Sequence, residues 1–192
     1  MKKLQWDKVR VLVANYCNYK CPFCHNEGQG KTTTKERMSL QSFRRLVDIL
    51  SNQPISEFNI SGGEPFLNED IVDMILYIND NLDCDISCAT NLSLIKPEHI
   101  SVLSGTRIKF NIQFPFATAE AFKQSTVTGN LDRILTNIDL LCAENIQVGL
   151  NTVVQSDDFS SISTLIDFAL ERGLPLKLLP QIGLSGSNQF LN

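Results

Sequence analysis

Residues 17–24 read CNYKCPFC and place three thiols, those of Cys17, Cys21 and Cys24, at a C-x3-C-x2-C spacing. Soft thiolate ligands favour iron–sulfur clusters, zinc or copper. A closed structural metal site usually has four protein ligands, and no fourth cysteine stands nearby. The spacing therefore predicts a metal centre with one open position, where a second molecule can bind and react.

The alternative metal site is a zinc centre that uses the same three cysteines and His25. His25 directly follows Cys24, however, and adjacent ligands crowd a tetrahedron. Zinc ribbons and fingers usually show two spaced pairs of ligands. A disulfide framework also fits poorly, because a chain of 192 residues without a secretory signal does not need such cross-links. An iron–sulfur cluster is the favoured interpretation.

Composition narrows the class of protein. The chain has 192 residues, 43% of them hydrophobic, which is enough for one domain with a full core. The net charge of −4 argues against a general nucleic-acid surface. No apolar segment follows the N-terminal lysines, and no apolar run approaches the roughly 20 residues of a membrane span. We therefore expect a cytoplasmic protein that binds neither membranes nor nucleic acids in general.

Segments typical of strands and helices alternate along the chain. Strands are predicted at residues 9–14, 57–61, 85–90, 107–114, 146–154 and 176–180. Helices are predicted at residues 40–50 behind the N-cap Ser39, from Ile71, from Pro97, at 131–141, and at 162–172 before Gly173. Such strand–helix repetition predicts a parallel sheet with right-handed crossovers. The cysteines outside the loop, Cys84, Cys88 and Cys142, lie in apolar segments and are predicted to be buried.

Two topologies fit this pattern, an open doubly wound sheet and a curved partial barrel. Polar residues occur at the C-terminal ends of several predicted strands, including 61–64, 90–91 and 151–152. A barrel builds its site from loops after many strands, whereas an open sheet concentrates its ligand at one switch point. The distribution of polar residues therefore favours the barrel.

Residues 61–65, SGGEP, form a glycine-rich turn with a single carboxylate. The three cysteines followed by this turn resemble the radical S-adenosylmethionine (SAM) superfamily. In that family three cysteines hold a [4Fe-4S] cluster, and SAM binds the fourth iron through its amino and carboxylate groups. The resemblance implies an α/β fold, a partial (β/α)6 barrel with its active site at the C-terminal ends of the strands. It also implies that residues 1–192 are one radical SAM core domain without a C-terminal extension.

The resemblance further implies an activity and a set of site residues. The reduced cluster would cleave SAM to a 5′-deoxyadenosyl radical that abstracts hydrogen from a substrate, with electrons from a protein such as a flavodoxin or ferredoxin. Glycines 62 and 63 would permit close approach to a ligand. Glu64 or nearby carbonyls would accept from the methionine ammonium. The implied cofactor-binding residues are Phe23, Gly62, Gly63, Glu64, Pro65, Thr90, Asn91, Gln113, Asn151 and Leu179.

The whole chain is most similar to the molybdenum-cofactor GTP cyclase branch, through Arg10, residues 60–67 and residues 150–154. Arg10 is therefore a candidate substrate contact. The cyclase pattern has basic triphosphate-binding residues where this chain has Asn59 and Gly149, and it has a C-terminal cysteine set that this sequence lacks. GTP cyclisation by this chain alone is not expected.

Local similarities leave the substrate open. Residues 59–67 are equally similar to viperin-like enzymes, and residues 24–26 are similar to glycyl-radical activating enzymes. A nucleotide-like small molecule and a peptide both remain candidate substrates. The alternative function is an iron–sulfur electron-transfer or scaffold protein that does not cleave SAM, although such a protein does not need the SGGEP turn. Residues 25–37 are polar and are predicted to form a lid over the cysteine loop.

Overall fold

The computed structural model of the chain describes residues 7–24, 34–154 and 159–181. These residues form six β-strands, six α-helices and one short 3-10 helix at Pro65–Leu67. The strands are β1 Lys8–Leu12, β2 Glu57–Ser61, β3 Asp85–Thr90, β4 Ile108–Gln113, β5 Gln147–Val154 and β6 Leu176–Pro180. The helices are α1 Leu40–Leu50, α2 Ile71–Asn81, α3 Pro97–Leu103, α4 Ala119–Thr126, α5 Leu131–Ala143 and α6 Phe159–Glu171.

The six strands make one parallel sheet whose spatial order is the order of the chain. This order has no reversal, so the sheet lacks the switch point of a doubly wound fold. Crossovers between neighbouring parallel strands are right-handed as a rule, so a strand order without reversal places the helices on one face and lets the twisted sheet curve around the other. Among the described strands, β1 pairs only with β2 and β6 only with β5, so the barrel is open between β1 and β6. The predicted partial (β/α)6 barrel is confirmed.

The two faces of the sheet differ in polarity. The outer face is apolar and packs against the helices; its most buried side chains are Phe58, Ile60, Ile86, Cys88, Phe110 and Ile112. The concave face carries polar side chains: Asn59 Nδ2 donates to Ser87 Oγ at 2.8 Å, and the Ser87 hydroxyl donates to Glu57 Oε1 at 3.1 Å. The hydrophobic core therefore lies between sheet and helices, and hydrogen-bonding groups line the concave face.

Side-chain caps mark the start of two helices, and a glycine marks the end of a third. The Ser39 side chain accepts a hydrogen bond from the Ser42 N–H at 3.2 Å and caps α1. The Asn130 side chain accepts from the Arg133 N–H at 3.1 Å and caps α5. Gly173 has a φ of 62° just after α6, as its predicted role as a helix stop requires. No helix within the described ranges is long and apolar enough to cross a membrane.

Helix α4 is absent from the sequence-based prediction. Its sequence, AEAFKQST, has one large apolar residue, Phe122, which is fully buried. A single apolar residue creates no helical periodicity, so the pattern gives no signal. Helix α6 also begins earlier than predicted, at Phe159 instead of residue 162.

The prediction for the other cysteines is correct at two positions and wrong at the third. Cys84 and Cys88 are buried, but Cys142 is exposed. Leu141 is one of the α5 residues that pack into the core. Cys142 follows it about 100° further around the helix, near Asp139 and Arg172. Most of the predicted lid, residues 25–33, lies outside the described residues, as does His25 of the alternative zinc site.

Candidate functional site

The cysteine loop, residues 17–24, follows β1 at the C-terminal edge of the sheet. Cys21 is buried, and Cys17 and Cys24 are half-buried. The loop ends in a tight turn in which the Cys24 N–H donates to the Cys21 carbonyl at 3.1 Å. Phe23 in this turn is buried and joins the hydrophobic core. The loop thus presents its three thiols from a short, anchored segment.

The glycine-rich turn lies directly beside the start of this loop. The Gly63 N–H donates to the Ala14 carbonyl at 2.8 Å, and the Glu64 N–H donates to the Tyr16 carbonyl at 3.0 Å. Gly62 has a φ of 146°, which favours glycine. A β-carbon on Gly62 would overlap the Ala14 carbonyl oxygen, and one on Gly63 would overlap the Tyr16 carbonyl oxygen. The close approach that these glycines permit is therefore an approach to the backbone that leads into the cysteine loop.

Glu64 is fully buried, and protein groups donate to both of its carboxylate oxygens. Oε1 accepts from the Thr90 hydroxyl at 2.6 Å and from the Phe66 N–H at 3.0 Å. Oε2 accepts from the Asn91 N–H at 2.7 Å. Burial raises the pKa of this carboxyl, although the three hydrogen bonds oppose the rise. Glu64 therefore joins the end of β2 to the end of β3.

The residues after β3 connect this carboxylate to the cysteine loop. Thr90 and Asn91 are both buried. Asn91 Nδ2 donates to Asn18 Oδ1 at 2.9 Å. The same nitrogen also donates to Cys17 Sγ at 3.7 Å. The Cys17 sulfur also accepts from the Tyr19 N–H at 3.3 Å. The two sequence motifs are thus linked through the predicted residue Asn91 and through Asn18, which the motifs did not single out.

The far side of the cysteine loop rests on the end of α4. The Lys20 N–H donates to the Thr126 carbonyl at 3.3 Å, and the Thr128 hydroxyl donates to the Asn18 carbonyl at 2.9 Å. Val127 between these two threonines has a φ of 67°, which is rare for a β-branched residue. No pattern in the sequence indicated this support, because it depends on a helix that periodicity does not reveal.

Without a metal, two of the three thiols have raised pKa values. Burial raises the pKa of Cys17 to about 11 and that of Cys21 to about 12. Both are therefore protonated at neutral pH, and a metal that binds them must displace protons. In the described part of the chain, no three His, Cys, Asp or Glu side chains are already arranged as a metal site. The donor set itself, three soft sulfurs on one loop, suits an iron–sulfur cluster with one open iron.

Three further predicted residues lie at the ends of β4, β5 and β6. Gln113 and Asn151 are register partners on adjacent strands at the same edge of the sheet. Within the described ranges, Gln113 Nε2 is buried and has no acceptor. A buried amide donor without a partner is destabilising, and a ligand oxygen would satisfy it. Leu179 on β6 pairs with Val153 and is half-buried.

Pro65 and Arg10 complete the predicted set. Pro65 is buried and starts the 3-10 helix that follows the glycine-rich turn. Arg10 lies on the concave face, where its Nη2 donates to Ser61 Oγ at 2.8 Å. Arg10 therefore points into the polar interior from directly below the turn. The fold brings all the predicted residues to the C-terminal edge of the sheet, with Arg10 one step deeper.

A curved parallel sheet with three thiols after its first strand and a glycine–carboxylate turn after its second defines a cofactor-dependent barrel. A family model described as the radical SAM superfamily matches residues 11–169. The chain belongs to the radical SAM superfamily, whose members use a [4Fe-4S] cluster and SAM. The prediction of family, fold and cofactors is confirmed.

Curated relatives are GTP 3′,8-cyclases. The chain is 27% identical over 187 residues to the enzyme of Clostridium perfringens (strain 13), a match that covers 96% of this chain and 58% of the relative. It is 29% identical over 172 residues to a probable GTP 3′,8-cyclase of Thermococcus kodakarensis, covering 89% of this chain and 55% of the relative. The chain thus spans less than two thirds of these proteins.

Solved structures show the same fold at lower identity. Streptococcus suis SuiB bound to S-adenosylmethionine superposes with a TM-score of 0.83 at 17% identity, covering 96% of this chain and 43% of SuiB. The structure of anSMEcpe with bound AdoMet gives a TM-score of 0.75 at 15% identity, covering 91% of this chain and 51% of that chain. At these identities the likeness concerns the fold alone.

Proposed function

We propose that this protein is a radical SAM enzyme whose [4Fe-4S] cluster is held by Cys17, Cys21 and Cys24. The observation that supports this proposal most directly is the anchoring of the cysteine loop. Asn91 and the end of α4 hydrogen-bond to the loop itself, and the glycine-rich turn hydrogen-bonds to Ala14 and Tyr16, which lead into it. An electron carrier needs the thiols, but it does not need a turn of this kind beside a polar barrel mouth. When bound, the reduced cluster supplies one electron that splits SAM into methionine and a 5′-deoxyadenosyl radical, which abstracts hydrogen from the substrate.

The residues around the cysteine loop have separate roles in this proposal. Both oxygens of Glu64 already accept protein donors, so we assign Glu64 to holding the turn. The backbone carbonyls of residues 62–65 then accept from the methionine ammonium of SAM. The unpartnered amide nitrogen of Gln113 donates to a SAM oxygen, and Asn151 lies beside it. Phe23, Thr90 and Leu179 supply the walls of the cofactor site.

The substrate is proposed only by class. The Clostridium perfringens relative is a GTP 3′,8-cyclase, and SuiB has been solved with its precursor peptide SuiA. Both a nucleotide-like molecule and a peptide are therefore candidates for the polar concave face, with Arg10 as a contact for an anionic group. A flavodoxin or ferredoxin supplies the electron, and we place the protein in the cytoplasm, where thiols stay reduced.

The decisive experiment combines metal content with SAM turnover. Protein reconstituted anaerobically with iron and sulfide is expected to hold about four iron atoms per chain. With dithionite and SAM, it is expected to release 5′-deoxyadenosine slowly without substrate, because the bound sulfonium lies against a reducing cluster. Adding the true substrate should speed this release, since it excludes water from the barrel mouth.

Single alanine variants test the ligand assignment. Changing Cys17, Cys21 or Cys24 to Ala should abolish cluster binding. The matched controls Cys84→Ala, Cys88→Ala and Cys142→Ala should retain it. A cluster that binds but never cleaves SAM, with an electron paramagnetic resonance spectrum unchanged by SAM, would support the electron-carrier alternative instead. Conversion of GTP alone to a cyclised purine would contradict the expectation that this chain does not cyclise GTP.

A further inference from the structure

Three side chains beside Cys17 form a closed ring of hydrogen bonds. Asn91 Nδ2 donates to Asn18 Oδ1 at 2.9 Å, Asn18 Nδ2 donates to Ser93 Oγ at 2.8 Å, and the Ser93 hydroxyl donates to Asn91 Oδ1 at 2.6 Å. Every bond runs in the same direction around this amide ring, so each polarises the next. Asn91 and Ser93 are buried, so water does not compete for the hydrogen bonds between them.

The amide ring fixes which end of the Asn91 side chain faces the sulfur. Asn91 Oδ1 accepts from the Ser93 hydroxyl and also from the Ser93 main-chain N–H at 3.0 Å. A main-chain N–H can only donate, so the oxygen of the amide must be on the Ser93 side. The NH2 group therefore faces the cysteine loop. The amide nitrogen lies 2.9 Å from Asn18 Oδ1 and 3.7 Å from Cys17 Sγ, so its two hydrogens can serve both acceptors.

The Cys17 sulfur faces two hydrogen-bond donors. It accepts from the Tyr19 N–H at 3.3 Å as well as from Asn91. Cys17 lies beside the end of β3, which places the Asn91 amide within reach of its sulfur. A hydrogen bond to a ligating thiolate draws negative charge from the sulfur and favours the more negative, reduced state of a cluster.

We propose that Asn91 is a positioning residue that orients Cys17 and raises the reduction potential of the cluster through its bond to the Cys17 sulfur. This inference rests on the proposed function, in which Cys17 is a cluster ligand. The glycine-rich turn then affects the reduction potential indirectly, because Glu64 Oε2 accepts a hydrogen bond from the main-chain N–H of Asn91 at 2.7 Å. The carboxylate acts on the cluster through Asn91, which it keeps in register with the loop.

The test is a redox titration of reconstituted protein without SAM, followed by electron paramagnetic resonance. Asn91→Leu keeps the size of the side chain and removes both donors. At a fixed potential we expect its ratio of reduced to oxidised cluster to fall about tenfold, a shift of about 59 mV for a one-electron couple. Asn111→Leu makes the same chemical change on the concave face, away from the thiols, and should keep the wild-type midpoint.

The outcomes separate this inference from the proposed function. If wild-type protein binds no cluster or never cleaves SAM, the proposed function fails. If it does both and Asn91→Leu has the wild-type midpoint, the role of Asn91 is overturned. Should Asn91→Leu hold no iron, Asn91→Ser is measured in its place. Loss of iron from both variants while the metal-free proteins unfold like wild type would support the positioning role, and failure of both to fold would overturn it.

Discussion

The side-chain position of Gly63 is occupied by the backbone of Tyr16. A β-carbon at residue 63 would overlap the Tyr16 carbonyl oxygen and lie 2.9 Å from the Cys17 nitrogen. Backbone atoms cannot move aside as the end of a flexible side chain can. The glycine-rich turn and the cysteine loop therefore fit each other at main-chain level, before any cofactor is considered.

Gly63→Ala should destabilise the metal-free protein by about 1–3 kcal/mol, the usual effect of overpacking. Gly149→Ala is the matched control, because a β-carbon there has its nearest neighbours at 3.5 Å. Reduced freedom of the unfolded chain should make that variant about 0.4–1 kcal/mol more stable. Urea unfolding measures both free energies. Equal stabilities for the two variants would contradict the steric assignment of Gly63.

Glu64→Gln should change the pH dependence of stability in a defined direction. Burial raises the Glu64 pKa above its usual value of 4.5, so the folded state binds the proton more tightly than the unfolded state. The stability that this proton contributes is present below about pH 4.5 and is lost as pH rises through the raised pKa. The stability of wild type relative to the Gln variant should therefore fall with rising pH.

Glu69→Gln is the control, because the stability of wild type relative to this variant should rise with rising pH. The hydrogen bond and charge of Arg37 lower the pKa of the exposed Glu69 carboxyl, so its contribution is present above its usual pKa and lost as pH falls. Thermal unfolding between pH 3 and 8, a range that extends to both sides of the ordinary glutamate pKa of 4.5, distinguishes the two. Parallel slopes for the two variants would refute the assigned direction for Glu64.

Val127→Gly should stabilise the protein. The valine has φ 67° and ψ −42° and is about half exposed, 49%. Relief of this backbone conformation is worth about 1–3 kcal/mol, which exceeds the roughly 0.5–1 kcal/mol entropic penalty of glycine. We expect a net gain of about 1 kcal/mol. Val102→Gly, at a 53% exposed position in α3, should instead lose about 0.5 kcal/mol, the difference in helix propensity between valine and glycine. Chemical denaturation tests whether the two signs differ.

Gln113→Leu should move stability and SAM affinity in opposite directions. The variant removes a buried donor that lacks an acceptor in the described residues, so the metal-free protein should gain about 1–3 kcal/mol. SAM should bind several-fold more weakly to the reconstituted variant, since a ligand hydrogen bond of about 0.5–1.5 kcal/mol is lost. Calorimetry and equilibrium binding measure the two effects. Gln147→Leu, at the exposed start of β5, should change neither, and unaltered SAM affinity in Gln113→Leu would remove Gln113 from the SAM site.

Local pattern predicted most of the fold. Strands β2, β3 and β6 begin and end at the predicted residues, because each is a short β-rich run between turn or helix signals. Helix α4 could not be predicted, since its burial depends on Phe122 and on small residues that carry no periodicity. The predicted burial of Cys142 was wrong because the apolar segment forms an amphipathic helix with a buried and an exposed face. Composition alone does not tell which face a residue lies on.

The site was predictable in its motifs and not in its connections. The cysteine spacing and the SGGEP turn are visible in the sequence. The bond from Asn91 to Asn18 joins residues 73 positions apart, and no local pattern reports such a contact. The same limit applies to Glu64: its sequence context suggested a ligand contact, whereas its burial and three protein donors become visible only when β2 and β3 are adjacent.

The support of the cysteine loop by α4 has a consequence for the timing of synthesis. Thr128, which bonds to the Asn18 carbonyl, lies 110 positions after it in the chain. Proteins emerge from the ribosome N-terminus first, at about 5–20 residues per second. The three thiols are therefore among the first side chains to appear and among the last to be fixed. We expect iron and sulfide to be accepted only after four strands and their helices have formed, which makes assembly of the cofactor a late event in the maturation of the protein.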